Sequence, residues 1–356
     1  MRRVDQSRIS RVKKKRRKKW IIRTVSLFLL LLLGVGLYLG SEIWGVFANT
    51  KNNLGKSDLR NKQVEMDSEP FTILLLGTDQ RKRTDPVWRA DVMILIAVNP
   101  KTHSAKVLSI PRDTYTTIAN TNGLKAKINS AAYWGYKKDV GQVANIRKTL
   151  ENMLHIPVDY YARINFQGFE DIVDALGGVE VNVQFPFHQQ AIGGDMVYFE
   201  PGVKELNGSE ALAYVRMRKQ DPNGDLGRNI RQREVVTKLI DKIASFEGIG
   251  SFSKLMKAVG DNFEHSMELE NFQALANIYR KIPKNNIENL EIKTYPENIP
   301  GAGAVLIWPK EDRLKIQQIL RDQLELPPLK NQDSGENSEA DDSSETDNQF
   351  SSSDGY

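Results

Sequence analysis

Two short apolar runs limit the folds open to this chain more than any other feature. FTILLLG, Phe71 to Gly77, is apolar at odd and even positions alike and ends on glycine. DVMILIAVNP, from Asp91, has the same character and turns at Asn99-Pro100-Lys101. Successive residues of a strand face opposite ways, so a strand apolar throughout has to be covered on both sides. AKVLSIPRDTY supplies a third strand close behind, and strands joined this tightly are expected to be neighbours in one sheet.

The cover is helical. Val143, Ile146, Leu150 and Leu154 form a stripe between Gly141 and Leu154. Gln167 to Leu176 reads as a short helix with Phe169, Ile172 and Val173 inward, stopped by Gly177-Gly178. IPVDYYARINF and GGVEVNV read as strands, Pro186 to Gly202 as loop or hairpin, and Arg228 to Phe246 as a long helix. Ser251 to Ile282 adds helix, IENLEIKTYP one strand, and Trp308 to Leu324 a last helix. The expected fold class is α/β: a three-layer α-β-α domain with a central, mostly mixed sheet, preceded by one transmembrane helix.

That anchor is read from the first residues. Residues 1 to 23 carry twelve Lys/Arg against one Asp, and residues 331 to 356 carry eight Asp/Glu and no Lys/Arg. The formal net charge of +5 therefore leaves about +2 for everything between, which says little about the partner. Thr24 to Gly40 holds no charge, long enough with its flanks for one tilted span, and positive charge ahead of it keeps that side cytoplasmic. A cleavable signal is the rival reading, with Val46-Phe47-Ala48 as processing site, but the run is longer than a usual signal core. The expected organisation is a basic cytoplasmic N-terminus (1–23), an anchor (24–45), a juxtamembrane spacer (46–70), an extracytoplasmic domain (71–326) and an acidic disordered tail (327–356). The chain would thus be a single-pass cell-membrane protein with its domain outside. Anionic lipid head groups suit the basic block, and no nucleic-acid partner is expected, because so short a segment holds no folded reader.

The chain has no cysteine and four scattered histidines, His103, His155, His188 and His265, without HExxH spacing. Thiolate nucleophiles and Cys-based zinc sites are excluded, and a zinc enzyme is not expected. No P-loop, GxGxxG or GxSxG occurs. Charge gathers instead in AYVRMRKQDPNGDLGRNIRQRE, Ala213 to Glu234, with Arg216, Arg218, Arg228, Arg231 and Arg233 around a Pro-Asn-Gly-Asp turn. Tyr214 to Met217 alternates and reads as a strand, so Arg216 and Arg218 are expected at a strand's end. Arg228 and Gln232 open the next helix one turn apart. Guanidinium groups grip phosphate oxygens in a planar fork, and a helix N-terminus favours the same guest. A pyrophosphate site and a solvated basic face both fit this stretch by itself.

Two further loops at strand ends add charge: Thr78 to Asp91, with Asp79 after Gly77 and then Arg89 and Asp91, and Arg112 with Asp113. Each has a plainer reading: a turn cap for Asp79, ion pairs for Arg89 with Asp91 and Arg112 with Asp113, and an N-cap for Asp225. Tyr133, Trp134 and Tyr136 read as packing rather than a sugar platform. Two early aspartates beside many arginines is what a metal–diphosphate site requires, since carboxylates hold a hard cation bridging phosphate oxygens while arginines neutralise the leaving phosphate.

These segments, ILLLGTDQR, WRADVMIL, SIPRDTY, KINSAAYWG, INFQGFEDIVDALGGVEV, LNGSEALAYVRMRK and GDLGRNIRQRE, occur in an order that resembles the LytR–CpsA–Psr family over roughly Phe71 to Ile243. The resemblance implies a membrane-anchored phosphotransferase that moves an anionic glycopolymer, of teichoic acid or capsule type, from a polyprenyl-diphosphate carrier onto peptidoglycan. It also implies Mg²⁺ (or Mn²⁺) at Asp79 and Asp91, and a diphosphate held by Arg89, Arg112, Arg216, Arg218, Arg228 and Gln232. Asp225 matches an acidic site residue, either orienting an arginine or acting as base. Arg112, Asp91, Asp225, Arg216 and Arg218 form the implied catalytic set. A polyprenyl tail would lie in an apolar pocket, with the Gly141 and Gln167 helices as walls. The rival functions are a polyprenyl-diphosphate phosphatase, a membrane-bound transcriptional regulator of cell-wall genes and a non-catalytic wall-binding module.

Overall fold

The structure, a computed structural model, describes residues 51–80, 85–245 and 255–329. The expected cytoplasmic segment, the membrane span and nearly all of the acidic tail lie outside the described residues. Strands β1 (Phe71–Thr78), β2 (Ala90–Asn99) and β3 (Ser104–Ser109) are followed by the short pair β4 (Tyr115–Thr117) and β5 (Lys125–Lys127). Then come α1 (Ala131–Lys137), α2 (Gln142–Leu154), β6 (Tyr160–Asn165), α3 (Phe166–Ala175) and β7 (Val179–Val183). The hairpin β8 (Phe187–Gln190) and β9 (Met196–Phe199) precedes β10 (Gly202–Leu206), α4 (Gly208–Arg216) and the long α5 (Gly224–Ser245). Last are β11 (Phe263–His265), α6 (Leu269–Lys281), β12 (Ile287–Leu290), β13 (Tyr295–Ile299), β14 (Gly303–Ile307) and α7 (Lys310–Gln323).

The central sheet runs β11-β6-β1-β2-β3-β12 and is mixed: β1 pairs antiparallel with β2 but parallel with β6, and β3 pairs parallel with β12. The three early strands are neighbours, as their spacing requires. One face is closed. Leu74, Leu76, Met93 and Leu95 are buried there beneath Ile146 and Leu150 of α2 and Leu320 of α7. Helix α2 follows its apolar stripe and ends on His155 in the left-handed region (φ 49°). The opposite face is looser, because Leu75 and Ile96, apolar like their neighbours, are only partly buried.

Two expectations change. Tyr214 to Met217 is no strand: α4 runs to Arg216, capped by Asn207 and Glu210 in a reciprocal capping box. The alternation in AYVRM is local, and burial of Ala211, Leu212, Ala213 and Tyr214 against Val235 and Phe187 decides for helix. IENLEIKTYP is not one strand either, since β12 ends at Leu290 and Tyr295 begins a hairpin with β14.

Residues 51–70 contain no helix and are bonded to the domain. Arg147 donates to the Leu54 and Gly55 carbonyls (2.9 and 3.0 Å), Ser57 Oγ to Glu151 (2.6 Å), and Arg60 forks onto Asp159 (3.0 and 2.8 Å). Their end touches β11, where Lys51 bridges His265. His265 is fully buried beside Phe263 and Phe272, and burial pushes its imidazole down to about 4. The unfolded chain binds that proton more readily than the folded one, so stability falls as pH drops from 6.5 toward 4. Melting curves across that window should show a pH slope that flattens in His265→Phe. An unchanged slope would remove His265 as its source.

Candidate active site

The site is built at the sheet edge formed by the ends of β1, β3 and β6 and the start of β2. A bulge shapes it first: Gly77 pairs with Val92 and Thr78 with Ala90, so Asp91 is the extra residue on β2. Bulges turn a side chain away from regular alternation, and here the side chain is a carboxylate. A Cβ on Gly77 would come within 3.0 Å of Val92 Cβ, so glycine allows the two strands to close at the bulge.

Asp79 follows directly. Its Oδ1 accepts the Arg89 backbone N–H at 2.8 Å, and its own N–H donates to the Arg89 carbonyl at 3.3 Å. The turn-cap role is thus real, and it ties Asp79 to Arg89 across the strand pair. Arg163 supports the loop from beneath: it lies 4.9 Å over the Trp88 ring and donates to Gln80 at 2.8 Å, while Gln80 donates to the Asp85 carbonyl at 2.8 Å.

Arg112 leaves the end of β3 in a tight turn, with Thr114 N–H on the Pro111 carbonyl (3.0 Å) and Asn129 N–H on its own carbonyl (3.2 Å). Its Nη1 donates to Asp91 Oδ1 at 3.0 Å, and its Nε lies 3.6 Å from Asp113. Asp91 therefore pairs with Arg112 rather than with Arg89. Both partners stay about a quarter exposed, open to a guest.

From the other side come α4 and α5. Arg216, the last residue of α4, lies 5.4 Å over the ring of Phe166, which opens α3 directly after β6, a strand whose Asn165 pairs with Thr78. Nearby Glu170 has its carboxyl pushed up, first by burial and then by Asp171 and Asp174, while Arg216 pulls it back. Arg218 is exposed in the following loop, and Arg228 is buried in the first turn of α5. Gln232 donates to the Val215 carbonyl at 3.3 Å. Helix α5 begins at Gly224, so Asp225 lies inside its first turn and is not the N-cap.

The five arginines of the Ala213–Glu234 stretch separate into roles that charge alone does not distinguish. Arg231 is buried, paired with Asp221, and donates to the Tyr214 carbonyl at 3.1 Å and to the Met217 carbonyl. It holds the loop rather than facing outward. Arg233 donates to Ser109 Oγ at 3.3 Å, three residues before Arg112, and burial holds its guanidinium below the usual value against the pull of Glu291.

Arg233 also lines a cavity of about 500 Å³ between the loose face of the sheet and helices α5 and α6. Its walls are apolar, with Leu75 and Ile96 on the sheet, Ile240 and Ile243 on α5 and Ile278 on α6. Ile172 of α3 contributes, as the Gln167 helix was expected to. The Gly141 helix does not: α2 packs on the closed face, where its stripe is ordinary core. Arg233 thus lines the cavity and also bonds the last residue of β3, the strand that leads into Arg112.

The LytR_cpsA_psr family model matches residues 42–322, most of the chain. The chain belongs to that family. It is 40% identical over 301 residues to a polyisoprenyl-teichoic acid–peptidoglycan teichoic acid transferase, TagU, of Halalkalibacterium halodurans, covering 83% of this chain and 94% of that protein. It is 35% identical over 277 residues to TagV of Bacillus subtilis, covering 77% and 69%. Among solved structures, B. subtilis TagV superposes with a TM-score of 0.64 at 33% identity, over 73% of this chain and 99% of that one. A structure of TagT bound to LI-WTA matches with a TM-score of 0.62 at 31% identity, over 76% and 97%.

Proposed function

We propose that this family member is a teichoic acid transferase, moving an anionic glycopolymer from a polyprenyl-diphosphate carrier to peptidoglycan. The observation that carries the reading is an apolar cavity whose lining includes Arg233, bonded to the end of β3 just ahead of Arg112, an arrangement that suits a ligand charged at one end and greasy at the other. The names of its relatives and the glycopolymer held by TagT support the polymer class.

In this reading Arg89, Arg112, Arg216, Arg218, Arg228 and Gln232 receive the diphosphate, and the cavity receives the polyprenyl chain. The C6 hydroxyl oxygen of an N-acetylmuramic acid residue bonds to the sugar-side phosphorus as the bridging P–O bond breaks. The lipid leaves as its monophosphate and the hydroxyl proton passes to a base, for which Asp225 is the candidate. Arginines fixed before the reaction stabilise charge as it moves onto the leaving phosphate. The two-carboxylate set of Asp79 and Asp91 fits Mg²⁺ (or Mn²⁺). Each engages Oδ1 in a protein bond, and Mg²⁺ is often held by one or two carboxylates plus substrate phosphates. Among the described residues no group of three acidic or histidine ligands exists, so phosphate oxygens would complete the shell. Such an ion would draw charge from the diphosphate. The proposed location is a single span over 24–45 with the domain outside the cell membrane.

The test is the product. Full-length protein in detergent, given a polyprenyl-diphosphate-linked teichoic acid precursor and peptidoglycan oligomer, should yield polyprenyl monophosphate and a phosphodiester on the glycan. Phosphate release without glycan attachment would replace transferase by phosphatase. Chelation should abolish transfer and added Mg²⁺ or Mn²⁺ restore it. Asp91→Asn should raise the half-saturating Mg²⁺ concentration at least about tenfold. Transfer that persists in chelator would refute the metal site.

A further inference from the structure

The hairpin β8–β9 presents one anchored face and one bare face. Phe187 and Phe199, cross-strand partners, stack at 4.5 Å and 23° and are buried against Tyr214 of α4. Alternation then sends His188 and Tyr198, the next pair, to the opposite side. There Tyr198 is 74% exposed, the most exposed large apolar side chain among the described residues, and its ring lies 5.8 Å from that of His188. Gln190 and Met196, the pair at the hairpin end, are exposed on the same side.

This surface is fixed to the arginine edge. Gln220 accepts the His188 backbone N–H (3.2 Å) and donates to the His188 carbonyl (2.8 Å). Asp221 N–H in turn donates to the Arg218 carbonyl at 3.2 Å, so the turn that carries Arg218 also carries the hairpin's tie. Charge is scarce here. Residues 184–199 include a single carboxylate, Asp195, and no Lys or Arg, in a chain that is 27% charged.

The geometry points to a binding platform for the acceptor glycan, with one N-acetylhexosamine ring laid on Tyr198 beside His188. This rests on the transfer reading and goes beyond it by placing the second substrate. A pyranose has a C–H face that is apolar and a rim of hydroxyl and acetamido groups. An exposed ring with the Gln190 amide on the same side matches both, the ring through stacking and Gln190 through donation and acceptance. The donor polymer is the poorer match, because the hairpin itself offers a polyanion no Lys or Arg and carries Asp195, which repels it. A glycan held here lies next to the loop of Arg218, where an acceptor hydroxyl has to approach the diphosphate.

The test uses full-length protein in detergent and an uncharged N-acetylglucosamine tetramer. Saturation-transfer NMR should show contact with sugar ring protons in the absence of any donor. Tyr198→Ala should weaken that binding about fivefold, what one stacking contact contributes, while Tyr198→Trp retains it. In the transfer assay the same alanine should raise the KM for glycan about fivefold, with kcat and the donor KM unchanged. Melting temperatures equal to wild type will show that the exposed site is replaced without unfolding. Absence of tetramer binding by wild type, equal binding by Tyr198→Ala, or a change confined to the donor KM would each overturn the platform, the last by giving the surface to donor sugars. Tyr198-dependent binding in a protein that performs no transfer would keep the platform and defeat the transferase reading instead.

Discussion

Arg112→Ala should lower transfer about 10²–10³-fold in kcat, the range seen when one fixed donor to a developing anion is removed. The reasoning begins at the turn. The Pro111–Thr114 turn and Asn129 fix its backbone, and Asp91 and Asp113 hold its guanidinium, so the group is in place before the substrate arrives. A donor set in advance costs no reorganisation at the moment charge develops, and that is where its contribution enters. Removing it also releases Asp91, whose Oδ1 it holds at 3.0 Å. Stability should change little, because the pair is about a quarter exposed and surface ion pairs contribute at most about 1 kcal/mol. Arg112→Lys should recover only a small part of the rate, since an ammonium does not reproduce the planar two-pronged grip. Steady-state kinetics on lipid-linked donor, with a melting curve for each variant, decide the matter. A rate within tenfold of wild type would strip Arg112 of its role.

The sheet was legible because its strands are apolar on both faces, and only a covered sheet accommodates them. Helix α2 was legible because four residues mark one stripe. Helix α4 was not, although its start carries a signal: Asn207 with Glu210 three residues later is a capping box, and it outweighs the alternation in AYVRM. The cavity had no signature at all. Leu75 and Ile96 line it, Leu74 and Leu95 fill the closed core, and the four residues are interchangeable in sequence. Only the spacing between sheet and helix tells lining from core, and that spacing is a tertiary quantity. The strand-end loops met on one edge because their charge falls where β1, β3 and β6 end and β2 begins. Arg231 is written in the same stretch as the proposed phosphate ligands, yet its contacts are carbonyls and a buried carboxylate. A guanidinium that grips phosphate and one that grips carbonyls have the same letter. Their separation depends on Asp221, ten residues away.

That dependence gives the largest expected loss of stability. Asp221→Ala should destabilise the domain by about 3–5 kcal/mol, because it leaves the buried Arg231 charge without its counterion. Side-chain exposure is 1% for Asp221 and 8% for Arg231, so water does not compensate. For a domain of this size the loss corresponds to a melting temperature lower by roughly 10 °C. Gly227→Ala should act in the same direction, since a Cβ there would stand 2.1 Å from Asp221 Oδ2 and would displace the carboxylate. The double replacement Asp221→Leu with Arg231→Met separates charge burial from architecture. An apolar pair of similar volume avoids the unpaired charge, so much of the lost stability should return. Transfer should not return with it, because Arg231 also binds the Tyr214 and Met217 carbonyls, and those residues bracket Arg216 and precede Arg218. Without that clamp the two arginines lose their fixed position, and a displaced donor stabilises little. Differential scanning calorimetry and transfer rates on the three variants give the outcome. An Asp221→Ala protein melting within roughly 2 °C of wild type would mean that Arg231 does not depend on this counterion. A double variant with full activity would mean that Arg231 has no part in aiming the loop.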